Sequence, residues 1–322
     1  MSASFTLALA QCNPTVGDID GNTALVRSMR AEAAAAGADL VVQIHRDAHP
    51  LAARVMANRV WHWHFGRGLV ASTNDFGARG AAPTHPELLD WLAGRFQKDG
   101  WSVKKLHRLI LLSDTYQRAS TSVEANAAVD PENLLLWRQN RRRLDAEQIS
   151  DSVRLFSGSL DLTPGGRHPF PRERTYFYRQ HEPFQEAYEN RKRTLYGMQQ
   201  RFQKNDYLDL FDGPDGNLPL AERKSTTTSL QALWLMNSKF LHEQSDAIAE
   251  WLRTAAPAQT ERLTWAHRRI FGRAPEAAGE AFLAKLASQH ASAGCQGALC
   301  DQRVWSSYVR AMLSSNAFLF LD

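Results

Sequence analysis

Apolar residues recur three and four positions apart through most of this chain, the spacing that lines one face of a helix. Between positions 50 and 116 the pattern appears three times. Leu51, Val55, Met56, Val60 and Trp61 make a first face, with Trp63 and Phe65 beyond it, and Gly66 and Gly68 end the run. Thr84 stands as a cap before Pro86 and Glu87, and Leu88, Leu89, Trp91, Leu92 and Phe96 supply a second face. Ser102 opens a third, with Val103, Leu106, Leu109, Ile110 and Leu112 on one side. This is the pattern of a packed helical scaffold.

The rest of the chain follows in the same terms. Residues 1–43 read as strand, loop, helix and strand, with Asn22 as N-cap, Gly37 as stop and Leu40-Val41-Val42 as a buried strand. Residues 117–133 are rich in Ala, Ser and Asn and predict a loop or weak connector, and Leu134 to Trp137 resume the core. A helix runs from Leu144 to about Phe156 and ends at Gly158. From Asp161 to Pro183 Pro and Gly interrupt the pattern. Short strands are expected at Thr175–Tyr178, at Lys192–Tyr196 and at Tyr207–Phe211. Thr226–Thr228 cap a helix carrying Leu230, Leu233, Trp234 and Met236, and Asn237-Ser238 breaks or re-caps it. Helices at Leu263–Phe271, from Glu276 to about Leu286 and at Val304–Leu313 complete the final third. The fold class expected is mainly α: a multi-helix domain over residues 44–322 with a small β or mixed insertion at 161–224, preceded by a short β-α-β fragment.

Ordered motifs run through the larger part. FGRGLV, DFG-x-x-G, PTHPELLDWLA and GWS-x-K-x-LHRLI-x-x-S-x-TY come first; RRRLDAEQI-x-D, SG-x-LDLTPGG, LDLFDGPDGN, TTTSLQALWLMNS and a closing SSNAFLFLD follow. Together they make residues 45–322 resemble the planctomycete C-terminal domain of unknown function numbered fifteen fifty-three. That resemblance implies an exported setting and a protein partner, a cytochrome c-like or polysaccharide-handling module; it implies no activity. The opening FTLALAQCNPTVGDIDGNTALV and GADLVVQ resemble the first unit of a nitrilase-type carbon–nitrogen hydrolase, closest to the glutamine-using domain of NAD synthetases. In such enzymes a Phe-Pro-Glu follows the second strand and starts a Glu-Lys-Cys set. Here Val42 is followed by Gln43-Ile44-His45-Arg46, and Cys12 is misplaced for a nucleophile. The abrupt change reads as a fusion or rearrangement, and amidohydrolase activity is not expected without an activating base.

Composition narrows the chemistry. The chain has 322 residues, 43% hydrophobic and 22% charged, which is globular. No run reaches the ~18 apolar residues of a membrane helix, and no basic leader or signal peptide opens the sequence, so the chain as written reads as cytoplasmic. Arg141, Arg142 and Arg143 follow the core at Trp137. They suit either a phosphate contact or ion pairs with Asp145, Glu147 and Asp151, and a net charge of only +4 favours the second. Nucleic acid is not the expected partner, since no aromatic-plus-basic module appears. Arg141, Arg142, Arg143, Asp145 and His85 are the candidate ligand-binding residues. Asp206, Asp209, Asp212 and Asp215 recur every third residue into Gly216-Asn217. They suit turns and caps, or a Ca²⁺ held by Asp209, Asp212 and Asp215, although Pro214 and Gly216 break the EF-hand pattern. His62 and His64 point to nearly opposite sides if both are helical. They could share a Zn²⁺ with His85 only if the helix ended before them.

Three cysteines make no disulfide framework. Cys295 and Cys300 are either two unpaired thiols or, in an oxidising compartment, a small closed loop. No Cys-x-x-Cys-His occurs, so no haem cofactor is expected. No nucleophile–base pair or phosphate loop stands out, and no catalytic residue is assigned. The reading is a non-catalytic binding or assembly module, with a hydrolase acting on a polysaccharide or other polar substrate through the Asp206–Asn217 loop as its alternative. One expectation concerns the join near Gln43. Because residues 1–43 form a unit too small to cover its own apolar faces, deleting residues 2–43 should change unfolding free energy by no more than about 1 kcal/mol. Urea and thermal melts of the truncated chain check this, and a fall of many degrees in its thermal midpoint would show the segment to be integral.

Overall fold

The computed structural model describes residues 7–11, 19–36, 40–44, 50–166, 190–199, 204–218, 220 and 222–321. These form two compact units, one drawn from residues up to Asn140 and the other running Arg141–Leu321. The architecture is mainly helical, as the apolar periodicity implies.

The first unit opens with strand β1 (Leu7–Gln11), helix α1 (Ile19–Ala35) and strand β2 (Leu40–Ile44). The two strands pair in parallel, Leu7 opposite Leu40 and Gln11 opposite Ile44. The helix begins at Ile19, so Asn22 lies inside it and is not its cap. Gly37 and Cys12 lie outside the described residues.

Three helices then build the first unit's core: α2 (Pro50–Phe65), α3 (Pro86–Lys98) and α4 (Val103–Leu111). Ala53, Ala57, Val60, Trp61 and Phe65 of α2 pack with Leu89, Leu92, Phe96, Leu106 and Ile110. Ser102 caps α4, accepting from the Lys105 amide at 3.3 Å. The N-cap of α3 is His85, one residue later than the Thr84 expected from its hydroxyl; its imidazole instead meets Thr84 Oγ1 at 3.0 Å. Pro86 occupies the first turn. A buried asparagine ties the following loop to α2: Asn58 donates to Val70 O at 3.0 Å and accepts from Val70 N at 2.9 Å. Gly68 sits in that clasp. A Cβ there would meet Val70 O at 2.6 Å and the Asn58 amide at 2.7 Å, so only glycine fits. A short helix, α5 (Glu124–Val129), interrupts the expected connector. Beyond it both carboxylate oxygens of Asp130 accept backbone amides, from Leu134 at 2.9 Å and Leu135 at 2.8 Å.

The second unit begins at strand β3 (Arg142–Arg143) and helix α6 (Ala146–Ser157), closed by Gly158 with φ 76°. It continues through α7 (Asp206–Leu210), α8 (Ser229–Asn237), α9 (Lys239–Ala255), α10 (Gln259–Phe271), α11 (Ala277–Ser292), α12 (Gly297–Leu313) and α13 (Asn316–Leu319), ending in strand β4 (Phe320–Leu321). Strand β4 pairs antiparallel with β3, Arg143 opposite Phe320. Ile149 and Val153 of α6 meet Leu241, Ile248 and Leu252 of α9, and Trp305, Val309 and Leu313 of α12 in one core.

Two strand expectations are corrected here. Tyr207–Phe211 is not a strand: Asn205 caps α7 by accepting from the Leu208 amide at 3.0 Å. The helix brings the rings of Tyr207 and Phe211, four residues apart, to 5.0 Å. Lys192–Tyr196 contributes one bridge residue, Lys192 opposite Asp161, then a single 3₁₀ turn at Thr194–Tyr196. The Asp151 carboxylate starts that turn, accepting from Thr194 N and Oγ1, each at 2.7 Å. Thr175–Tyr178 lies outside the described residues. Helices α11 and α12 both extend beyond the spans expected.

The two tryptophans placed on apolar faces part company. Trp91, placed on an apolar face by its spacing, is 55% exposed, so Trp91→Ala is expected to change stability by about 0.5 kcal/mol or less. Trp234 is half-buried among Tyr207 at 4.9 Å, Phe211 at 5.3 Å and Phe240 at 6.1 Å. Trp234→Ala should cost about 3–5 kcal/mol, read from paired chemical melts.

Buried His267 of α10 meets Tyr308 Oη at 2.8 Å. Burial, helped by Arg273 and opposed by Glu276, holds this imidazole below its ordinary value. The unfolded chain therefore binds the extra proton more readily. The stability involved is present above about pH 6.5 and is lost as pH falls through the lower folded value. Thermal midpoints across pH 4–8 should show that loss, and His267→Gln should flatten this part of the profile.

Candidate binding cleft

The second unit holds a buried polar node built from three of the motifs. Arg143, on β3, has a side chain only 6% exposed. Its Nη1 donates to the Thr226 carbonyl, its guanidinium lies over the Phe211 ring at 5.6 Å, and Asp212 Oδ2 stands 3.9 Å away. Asp212 is in the left-handed region, φ 59°, at the end of the turn that follows α7. Its carboxylate accepts from Thr226 N at 2.8 Å and from Thr226 Oγ1 at 2.8 and 3.0 Å. Gln231 Nε2 approaches the same carboxylate at 3.4 Å and donates to Leu210 O at 2.8 Å. Gln231 is itself locked into a capping box with Thr228, accepting from the Thr228 amide at 3.1 Å. Tyr207 closes the floor by donating to Ala146 O at 2.6 Å.

The turn beyond Asp212 depends on Gly213. Its amide donates to Leu208 O at 2.6 Å, and a Cβ there would stand 2.7 Å from both Leu208 Cβ and Leu208 O. The chain can double back at this point only with no side chain.

Electrostatics follow from burial. Desolvation lowers the Arg143 value, opposed by Asp212 and Tyr207. Burial pushes the Tyr207 phenol up, reinforced by Glu147 and Asp151, so it serves only as a neutral donor. Burial also acts to raise Glu147. The bidentate Arg223, with Nη2 at 2.7 Å from Oε1, outweighs it and leaves Glu147 below the ordinary carboxylate range.

Above the node lies a cleft of about 630 Å³, bordered by Lys204, Asp206, Asp209, Asp215, Arg223 and Lys224. A neighbouring cleft of about 470 Å³ shares Met198, Gln199, Asn205 and Leu208 with it and is walled by Tyr207, Trp234 and Phe240. Acids and bases interleave in the first cleft; aromatic rings dominate one side of the second.

The residues singled out from sequence are distributed unevenly. Arg143 and Asp212 come together in the node. Arg142 faces Leu321 across the strand pair, with Arg141 just before it. Asp145 is the N-cap of α6, where its amide donates to Gln148 Oε1 at 2.9 Å. The carboxylates proposed as pairs for the arginines have other partners too: Glu147 holds Arg223, and Asp151 holds Thr194 and stands 3.8 Å from Arg193. Asp209 and Asp215 lie 3.2 and 3.9 Å from Lys204 Nζ, so an ammonium stands where a cation was expected.

His85, His62 and His64 belong to the first unit. His62 and His64 sit in the last turn of α2, which runs on through Phe65. His64 Nε2 meets His107 Nδ1 at 2.7 Å, edge-on to Tyr116. Among the described residues, no group of three or more His, Cys, Asp or Glu is placed to hold one metal ion. Among the described residues, likewise, no helix is long and apolar enough to cross a membrane.

Sequence reasoning passed over Lys204, Arg223, Thr226 and Gln231 as site residues. The Thr-x-x-Gln capping signal was visible. Nothing local, however, indicates that the same glutamine reaches Asp212, 19 residues back.

Residues 38–287 match the sequence model of a family described as PSD1, a protein of unknown function (DUF1553). No curated protein and no solved structure matches the chain.

If Asp212 organises the node, Asp212→Ala strands a buried guanidinium and two Thr226 donors. It should destabilise the second unit by about 3–5 kcal/mol. Asp209→Ala, which touches only an exposed lysine, should cost less than about 1 kcal/mol. Denaturant melts of the two variants test the contrast.

Proposed function

We propose that this chain, which belongs to the DUF1553 family of proteins of unknown function, is a non-catalytic binding module whose second unit takes a polar segment of a protein partner in the acid-and-base cleft. The observation that carries this reading is the commitment of three of the cleft's carboxylates. Asp212 is saturated by hydrogen-bond donors, and Asp209 and Asp215 flank Lys204. A general base or acid needs a carboxylate with a proton to exchange and a line to substrate. These are instead held as fixed, alternating charges. Such a surface suits a partner loop carrying both signs, because complementary charges set orientation and association rate.

The cytochrome c-like or polysaccharide-handling partner and the exported setting implied by the resemblance belong to this same reading. So does the view of the opening β-α-β fragment as a remnant of a nitrilase-type unit without its catalytic set.

Peptide display against the full chain is the test. It should enrich segments with interleaved acidic and basic residues, and their binding should weaken as salt rises and fall at least tenfold in Lys204→Glu. Absence of enrichment overturns the reading. So does turnover of chromogenic glycosides, esters or amides that Asp206→Asn abolishes, which would favour the hydrolase.

A further inference from the structure

The smaller cleft carries a charge that its own walls leave unmatched. Its described lining holds three cations, Arg154 of α6, Lys192 and Lys239 of α9, against one carboxylate, Glu243. Two of the cations are already answered. Lys192 Nζ lies 2.9 Å from Asp161 Oδ2, and Lys239 Nζ lies 3.6 Å from Glu243 Oε1. The third is not. Arg154 donates through Nη1 to the Asn190 carbonyl at 2.7 Å and lies over the Phe240 ring at 5.4 Å, and among the described residues no carboxylate comes within ion-pair distance of it. Its Nε and Nη2 keep their N–H groups, a planar fork that matches two oxygens of one anion. Beside it stands flat apolar surface: Trp234 and Phe240 are half-buried, with ring centroids 6.1 Å apart. Tyr207 completes that wall with its ring alone, because its hydroxyl is committed to Ala146 O.

We propose that the smaller cleft binds an aromatic carboxylate, its ring against Trp234 and Phe240 and its charge on the uncommitted edge of Arg154. A cavity of about 470 Å³ is of the size that takes small organic ligands. A neutral ring would cover the aromatic wall but leave the guanidinium desolvated and unpaired. A bare inorganic anion would answer the guanidinium but leave the wall wet and most of the space unfilled. One uncommitted cation matches one negative charge, which favours a carboxylate over a doubly charged phosphate. None of Arg154, Trp234 and Phe240 lines the larger cleft, so the inference does not depend on what that cleft takes.

Calorimetric titration of the full chain with indole-3-acetate is the test. Uptake should be saturable and one-to-one, and indole-3-acetamide, the same ring without the charge, should bind at least about tenfold more weakly. Arg154→Gln should bind the acid no better than the amide. A second measurement needs no variant: photolysis with 4-benzoylbenzoate, itself an aromatic carboxylate, should label the lining of this cleft, Met198 among it, and excess indole-3-acetate should suppress the label. Tighter binding of N-acetyltryptophan than of indole-3-acetate would support the proposal with a chain's C-terminal aromatic residue as the source, and the reverse order would support it with a free acid. Lack of saturable uptake, equal binding of acid and amide, a folded Arg154→Gln that still prefers the acid, or a label confined to other parts of the chain would each overturn it.

Discussion

A guanidinium removed from water must be given back what water supplied, and that requirement organises the second unit. Arg143 is too buried to be satisfied by solvent and too strongly charged to be left alone. Its Nη1 is met by the Thr226 carbonyl, with the Asp212 carboxylate 3.9 Å away and the face of Phe211 alongside, while its Nε is buried without a hydrogen-bond partner. The carboxylate and the ring then need their own support. The carboxylate is held by Thr226 and Gln231, and the ring by Tyr207 and Trp234. The result is a network in which a polar group, its partner and its partner's partner come from segments 143, 207–212 and 226–231. Networks of this kind specify one arrangement because a half-made version leaves buried groups unmatched.

Most of the helical architecture was legible in the sequence because helices write their period locally. The face of α3, the cap at Ser102, the stop at Gly158 and the double role of Ser238 all depend on residues within one or two turns. What failed was short and bounded by tertiary partners. Tyr207–Phe211 alternates like a strand, yet an Asn205 cap and ring contacts with Trp234 make a one-turn helix preferable. Trp91 looks like core by spacing, but the stripe it occupies is wider than the surface available to cover it. The candidate site was less legible still. Arg143 and Asp212 were singled out for separate reasons, and nothing within ten residues of either announces the other. Lys204 as the cation beside Asp209 and Asp215 is a three-dimensional fact with no one-dimensional signature.

Several motifs that carry the family resemblance resolve into devices for fixing backbone. FGRGLV is a clasp in which Gly68 makes room for Asn58. In the DFG stretch the Asp75 carboxylate accepts the Gly77 amide and its carbonyl accepts Ser72. LFDGPDGN is a turn in which Asp212 binds the start of the next motif and Gly213 permits the reversal. The polar residues of these motifs thus serve largely to place a surface, which Lys204, Asp206 and Lys224, outside any motif, help to draw.

The pairing of β3 with β4 has a temporal side. Leu144 donates its amide to Leu319 O at 2.8 Å, and Arg142 lies opposite Leu321, so the second unit is sewn shut by residues at its two ends. On a ribosome the early segment waits while α6 to α12 are made, and its arginine-bearing strand has no ladder partner until the last residues of the unit leave the exit tunnel. Loop closure over so long an interval is slow, and an unpaired strand edge during that wait is a surface other chains can find. The edge of β3 thus stays open for at least the time needed to translate from Arg142 to Leu321.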